Sequence, residues 1–231
     1  MAAPSASIRE HLHLHGGEPL ATAGLPVTEA GRAVVMVHGR GDRAEGFLGL
    51  AEHLENDGFA FLAIAASSRT PYPHSWYPYG FMAPTEHNEP GLSSGLARLG
   101  EALEELGRAG ISARETLLLG FSQGACLMLE YVARNPQRYG GVAALSGGLV
   151  GPPGTTWAAD GPSGDGSGLD GTPVFLGCSD RDPHIPLARV KESTMVLWAL
   201  GGEVEERIYP GMSHTIVEDE LAWVRDVQRR L

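Results

Sequence analysis

A serine, an acid and a histidine, in that order along the chain, are the side chains best placed to do chemistry together. Ser122 is the centre of Gly120-Phe121-Ser122-Gln123-Gly124, which follows the strand-forming run Thr116-Leu117-Leu118-Leu119 and opens the helix-like run from Ala125 to Ala133. A strand, a tight turn and a helix around Gly-x-Ser-x-Gly lift a serine hydroxyl out of the backbone as a nucleophile, and the glycines avoid clashes in a crowded, strained turn. With 32 glycines in 231 residues, glycine at both flanks arises by chance at about 0.02 per serine, so context must decide. That context is a strand-to-helix junction, with an acid and a histidine following at loop positions.

A serine hydroxyl is a poor nucleophile at neutral pH and needs a base, which in turn needs an orienting acid. Among nine histidines, His214 is preferred because Tyr209-Pro210-Gly211-Met212-Ser213-His214 is a turn between the last strand and the last helix. His184 is expected to pack or line the mouth, His53 falls in a helix, and His38 shapes the loop after the first buried strand. For the acid, Cys178-Ser179-Asp180-Arg181-Asp182-Pro183 ends a strand and offers two carboxylates. Asp182 is preferred and Asp180 is the alternative. Acyl transfer also needs donors aimed at a developing oxyanion. The backbone N–H of Gln123, at a helix start, supplies one; that of Arg40, in His38-Gly39-Arg40-Gly41-Asp42, supplies the second.

These residues must be positioned by alternating strands and helices. Ala33–Val37, Phe59–Ile64, the run before Ser122, Gly141–Leu145, Pro173–Cys178 and Val204–Tyr209 read as strands, several of them apolar enough to be buried on both faces. Between them, Phe47, Leu50, Ala51 and Leu54, then Leu92, Leu96, Leu99, Leu103 and Leu106, recur at helical spacing. Leu187, Val190, Thr194 and Leu197 mark a further helix, and Leu221 with Val224 a closing one. The pattern predicts an α/β fold, a mostly parallel sheet with helices on both faces, forming a single domain over 1–231. Ligands bind such sheets beyond the carboxyl ends of the strands, where every candidate above lies. The loop from Ala65 to Gly91 carries five prolines and the aromatics Trp76, Tyr77, Tyr79 and Phe81. It is expected to wall a pocket, with Trp76 and Tyr77 binding substrate. The second long loop, Gly147 to Thr172, reads as mobile surface in preference to a substrate-gating lid.

Together the His38–Asp42, Gly120–Gly124, Asp182–Pro186 and Gly211–His214 segments resemble the phospholipase/carboxylesterase family of α/β-hydrolases, which includes the acyl-protein thioesterases. The resemblance runs from about Ala33 to the C-terminus. It implies a serine hydrolase without a large lid domain, acting on carboxylic esters or thioesters through an acyl-enzyme. Ser122, Asp182 and His214 would be the triad, and Arg40 and Gln123 the oxyanion donors. Arg40 stands where relatives often carry an apolar residue, and the Ser75–Tyr79 segment and long second loop also depart from the thioesterase pattern. These departures favour a carboxylesterase for small or medium acyl groups over an acyl-protein thioesterase or lysophospholipase. A dienelactone-type hydrolase is less apt, because those relatives typically use cysteine where this elbow has Ser122. A non-catalytic binding scaffold should have lost a triad member or its oxyanion loop, and candidates for all are retained.

Bulk properties narrow the partners. Seventeen Lys and Arg against 28 Asp and Glu give a formal charge of -11, which disfavours nucleic acid and anionic membrane surfaces. No cofactor and no metal are needed for the chemistry, a small-molecule ester or thioester is the expected partner, and a homodimer is compatible with the chain. Residues 1–17 lack an apolar run of signal-peptide length, and no stretch approaches a membrane span, so a cytoplasmic location is expected. His11, His13 and His15 alternate with Leu12 and Leu14. A metal site there is the lesser reading; an edge strand with leucines packed inward and solvated histidines is preferred. Cys126 and Cys178 sit in apolar runs and read as buried thiols, not a disulfide.

Overall fold

In a computed structural model, residues 14–157 and 168–231 are described. Seven strands form one sheet: β1 Ala21–Gly24, β2 Arg32–Val37, β3 Phe59–Ile64, β4 Thr116–Phe121, β5 Gly141–Leu145, β6 Pro173–Ser179 and β7 Glu203–Tyr209. Their spatial order is β1-β3-β2-β4-β5-β6-β7, with β1 antiparallel to β3 and every other neighbouring pair parallel. Among the described residues, five α-helices accompany them: α1 Ala44–Leu48, α2 Gly91–Arg108, α3 Gln123–Arg134, α4 Leu187–Ala199 and α5 Glu218–Arg230.

The apolar runs became central strands because both of their faces are covered. Side chains alternate across a strand, so Val35, Val37, Leu118 and Leu176 pack with α2, α3 and α4 on one face. Val34, Met36, Leu117 and Phe175 pack with Phe47 of α1 and with Leu221, Trp223 and Val224 of α5 on the other. The leucines at helical spacing in α2 turn Leu92, Leu99 and Leu106 fully into the core. The expected helix around Phe47 to Leu54 is shorter than its periodicity suggests: α1 gives way at Gly49 to a 3-10 turn, Gly49–His53.

Two readings need correction. His15 is not a solvated imidazole on an edge strand: residues 14–17 form a turn and His15 is completely buried. His11 and His13 lie outside the described residues. The strand at that sheet margin is β1, whose Ala-Thr-Ala-Gly sequence turns only the small side chains of Ala21 and Ala23 toward the core and so carries a weak apolar signal. The stretch after β5 is likewise not surface throughout: residues 147–151 are buried. Buried Arg189 donates to the carbonyls of Leu149 at 2.7 Å and Gly151 at 2.8 Å, and Glu130 accepts the Val150 N–H at 3.1 Å. Residues 158–167 of that loop fall outside the description.

The order of strands reverses direction between β2 and β4, since the chain moves outward from β2 to β3 and then returns to β2's other side. Loops leaving neighbouring strands diverge at such a point and open a crevice at their carboxyl ends. The loop carrying Arg40 and the turn carrying Ser122 meet there.

Candidate active site

Ser122 occupies the turn between β4 and α3 with φ 53° and ψ −121°, a left-handed conformation that a side chain disfavours. Such strain costs about 1–3 kcal/mol and persists only where the surroundings enforce it. Here the surroundings are identifiable. A Cβ on Gly124 would lie 2.2 Å from the Val37 carbonyl oxygen, and one on Gly120 would lie 2.8 Å from the backbone of Ala125. The first turn of α3 therefore packs directly on the end of β2, and only glycine permits that approach. The Ser122 N–H donates to Leu145 O at 2.9 Å, tying the turn to β5 as well.

His214 comes from the turn after β7, three strands from β4, a lateral distance of about 14 Å at the usual strand spacing. The turn folds back over the sheet's edge to span it. His214 Nε2 lies 2.8 Å from Ser122 Oγ, and His214 Nδ1 lies 2.6 Å from Asp182 Oδ2. An ionised carboxylate only accepts, so the Nδ1–H tautomer is selected and the Nε2 lone pair faces the hydroxyl. The imidazole is held between the ring of Phe121, at 4.9 Å between centroids, and that of His184, at 4.9 Å and edge-on.

The Asp182 side chain is fully buried. Its Oδ1 accepts the backbone N–H groups of His184 at 2.8 Å and Ile185 at 3.0 Å. Burial pushes this carboxyl upward, but the hydrogen bonds from His214, His184 and Ile185 outweigh it and hold it below the ordinary aspartate range. Asp180, the alternative acid, has a different partner: its Oδ1 accepts the Gly211 N–H at 2.7 Å, bracing the turn that delivers His214.

A cavity of about 380 Å³ opens at this point, lined by Ser122, His214, Gly39, Arg40, Gln123, Asp42, Tyr77, Gly80, Phe81, Phe121, Cys126, His184 and Ile185. Tyr77 forms part of its wall as expected from the sequence, but Trp76 does not. Trp76 is wholly buried behind that wall, its indole N–H donating to His38 O at 2.9 Å, and it lines a separate cavity of about 210 Å³ with Leu14, Tyr72 and Pro90. Tyr79 is half exposed. Phe81, from the same aromatic loop, also lines the cavity, whereas Cys126 and Ile185 complete the lining without any local signal in the sequence; only proximity in the folded chain brings those two there. Cys126 and Cys178 are free and buried, each thiol pushed by burial up to about 12, so neither is a nucleophile at neutral pH.

The irregular segment 76–80 owes its shape to side chains that serve its peptide groups. Gln123 accepts the Trp76 N–H at 2.9 Å and donates to Tyr77 O at 2.9 Å. Arg40 donates to Pro78 O at 2.8 Å and Tyr79 O at 2.6 Å. Asn88 accepts the Tyr79 N–H and donates to Gly80 O, each at 3.0 Å. His15 Nε2 lies 2.9 Å from Trp76 O, while its Nδ1 accepts the Ser67 N–H at 3.0 Å. Both ring nitrogens of His15 are thus committed to the backbone, which leaves none for a metal. Among the described residues no group of three metal-ligating side chains is found, and no helix is long and apolar enough to cross a membrane.

A crevice at the reversal of a parallel sheet, with a strained serine hydrogen-bonded to a histidine and that histidine to a carboxylate, defines an α/β-hydrolase. The model of the phospholipase/carboxylesterase family matches residues 25–229, and the chain belongs to that family. A phospholipase/carboxylesterase of known structure from Dyadobacter fermentans is 42% identical, covering 90% of this chain and 94% of its own, with a TM-score of 0.81. The acyl-protein thioesterase 1 of Saccharomyces cerevisiae is 26% identical over 214 residues, 84% of this chain and 90% of that protein. The carboxylesterase of Bacillus cereus, 16% identical, shares the fold with a TM-score of 0.73 over 93% of this chain and 95% of its own.

Proposed function

We propose that this chain is a serine carboxylesterase that cleaves esters of small to medium carboxylic acids through an acyl-enzyme intermediate. The observation that carries the reading is the continuous hydrogen-bonded line from Ser122 Oγ through His214 to Asp182, at 2.8 and 2.6 Å, opening into the cavity. Ser122 Oγ attacks the ester carbonyl while His214 Nε2 takes its proton. The backbone N–H groups of Arg40 and Gln123 receive the oxyanion, aided by the N-terminal dipole of α3. The imidazolium, stabilised by Asp182, then protonates the leaving alcohol. A water activated by the same imidazole releases the acid.

The size of the acyl group follows from the cavity, whose 380 Å³ is near the lower end of small-molecule sites. Thioester cleavage by the same machinery is the second reading, favoured by the acyl-protein thioesterases among the relatives. A graded series of p-nitrophenyl esters and matched thioesters, from acetyl to palmitoyl, separates the two. Maximal kcat/KM at short or medium acyl esters is expected. A maximum at long-chain thioesters would replace the first reading with the second, and no acyl release from any substrate, with no burst of chromophore, would remove both.

A further inference from the structure

We infer that the side chains of Arg40 and Gln123 are positioning residues that lock the oxyanion-stabilising backbone to the substrate wall. This rests on the hydrolase reading above, in which the main-chain N–H groups of the same two residues receive the oxyanion. Gln123 grips Trp76 N–H and Tyr77 O, and Arg40 grips Pro78 O and Tyr79 O, so four peptide groups spanning four consecutive residues are held by two side chains. The outer side of the same segment is fixed independently by His15 and Asn88. Gly91 of α2 backs it so closely that a Cβ there would meet Trp76 O at 2.7 Å.

The chemistry of the two side chains suits this task. Arg40 uses the two arms of its guanidinium on successive neutral carbonyls, and among the described residues it has no ion pair. A planar fork can bridge two carbonyls in that way; an ammonium offers a single point of contact. Gln123 is the first residue of α3 and is almost fully buried, and it needs both a donor and an acceptor, which a carboxylate or an alkyl chain lacks. A role for Arg40 in recognising an anionic substrate is less apt, because Asp42 lines the same mouth.

Oxyanion donors act only when they lie 2.7–3.1 Å from the oxygen's position in the transition state, and errors of about 1 Å are costly. With the clamp in place, the loop bearing Arg40 cannot shift without moving Tyr77, and an acyl group seated on Tyr77 meets donors already in register. Losing the clamp should therefore affect the transition state more than substrate binding.

The test uses Arg40→Met, Arg40→Lys and Gln123→Met in the full chain, with active sites counted by burst titration. A trifluoromethyl ketone bearing the preferred acyl group is the probe. Ser122 Oγ adds to its carbonyl carbon, the serine proton passes to His214 Nε2, and the carbonyl oxygen becomes the oxyanion. Per active site, each Met variant is expected to lose at least tenfold in kcat and at least tenfold in ketone affinity, with KM within about threefold of wild type. Arg40→Lys should lie between Arg40→Met and wild type. Unchanged kcat and ketone affinity in the Met variants would overturn the proposal. So would a fall in kcat without loss of ketone affinity, or an effect of Arg40→Met confined to KM for acid-bearing esters. Should the Arg40 variants misfold, Gln123→Met decides by the same criteria. A wild-type protein that does not bind the ketone would instead sink the hydrolase reading, and this proposal with it.

Discussion

Asp182→Asn isolates the part of the site that depends on one proton's position. In the wild-type chain, Oδ1 accepts two backbone N–H groups and Oδ2 accepts His214 Nδ1–H. An asparagine amide has one oxygen, and the two backbone donors require it at the Oδ1 site. Its NH2 then faces His214 Nδ1, which must become the acceptor, so the ring proton moves to Nε2. Ser122 Oγ, 2.8 Å away, now faces a donor and loses its base. The same change in a serine protease triad costs about 10⁴ in kcat, equivalent to about 5 kcal/mol. A loss of this size is expected in the acylation rate, measured by stopped-flow release of p-nitrophenol under single-turnover conditions. Asp180→Asn, which alters only the bond to Gly211, should cost less than about tenfold. The substitution also has a signature in stability. The folded-state pKa of Asp182 is depressed, so its stabilisation is present above the unfolded value and disappears as pH falls through the folded one. The stability difference between wild type and Asp182→Asn should therefore shrink in acid. Acylation by folded Asp182→Asn within tenfold of wild type would refute the tautomer argument, and a larger loss from Asp180→Asn would reassign the acid.

At Ser122, alanine should abolish turnover yet inherit the strained φ of 53°, whereas glycine should abolish turnover and unfold at higher urea, by about 1 kcal/mol; equal midpoints would show that the turn is not strained. Gly124→Ala places a methyl 2.2 Å from Val37 O and 2.4 Å from His38 O, and a loss beyond about 3 kcal/mol or outright insolubility is expected. A soluble variant with a wild-type melting curve would contradict the packing of α3 on β2. Glu220 is completely buried, and its carboxyl is pushed by burial up to about 7 against the opposing bond from the Val217 N–H. Because the folded value lies above the unfolded one, its contribution is fully present below the unfolded value and is lost as pH rises through about 7. The stability lost on going from pH 4 to pH 8 is on the order of 3 kcal/mol. Glu220→Gln should flatten this slope in urea titrations across that interval, and parallel slopes for the two proteins would refute it.

The central strands and the three residues joined by the Ser122–His214–Asp182 hydrogen bonds were legible because each signal was local. Runs such as Ala33–Val37 are apolar at every position when both faces are covered, and Ser122, Asp182 and His214 each follow a strand closely enough for the carboxyl-edge rule to find them. Other features are properties of the assembled chain. β1 is a strand by virtue of pairing with β3, with Ala21 opposite Ala63, and its own residues would suit a loop equally well. The period-two pattern of His11 to His15 suggested a strand, but His15 is drawn inward to serve Trp76 O and the Ser67 N–H, contacts that no spacing encodes. Trp76 carried an aromatic signal that did not reveal which side of the wall it would occupy. The side-chain functions of Arg40 and Gln123 were hidden for a related reason: their partners are peptide groups 38 to 47 residues away.

β7 is the last strand of the sheet, hydrogen-bonded on one side only, and none of its residues is buried. The loop that carries His214 nevertheless leaves from it, while the Ser122 hydroxyl to which that imidazole is hydrogen-bonded sits on the turn at the end of the interior strand β4. Margins of a sheet open at lower free energy than its middle. Mild heat or denaturant will therefore silence the enzyme by loosening this flank while most of the core is still intact. Loss of turnover is therefore expected to report damage early, and substitutions that secure the flank are expected to extend working life more than those that tighten the interior.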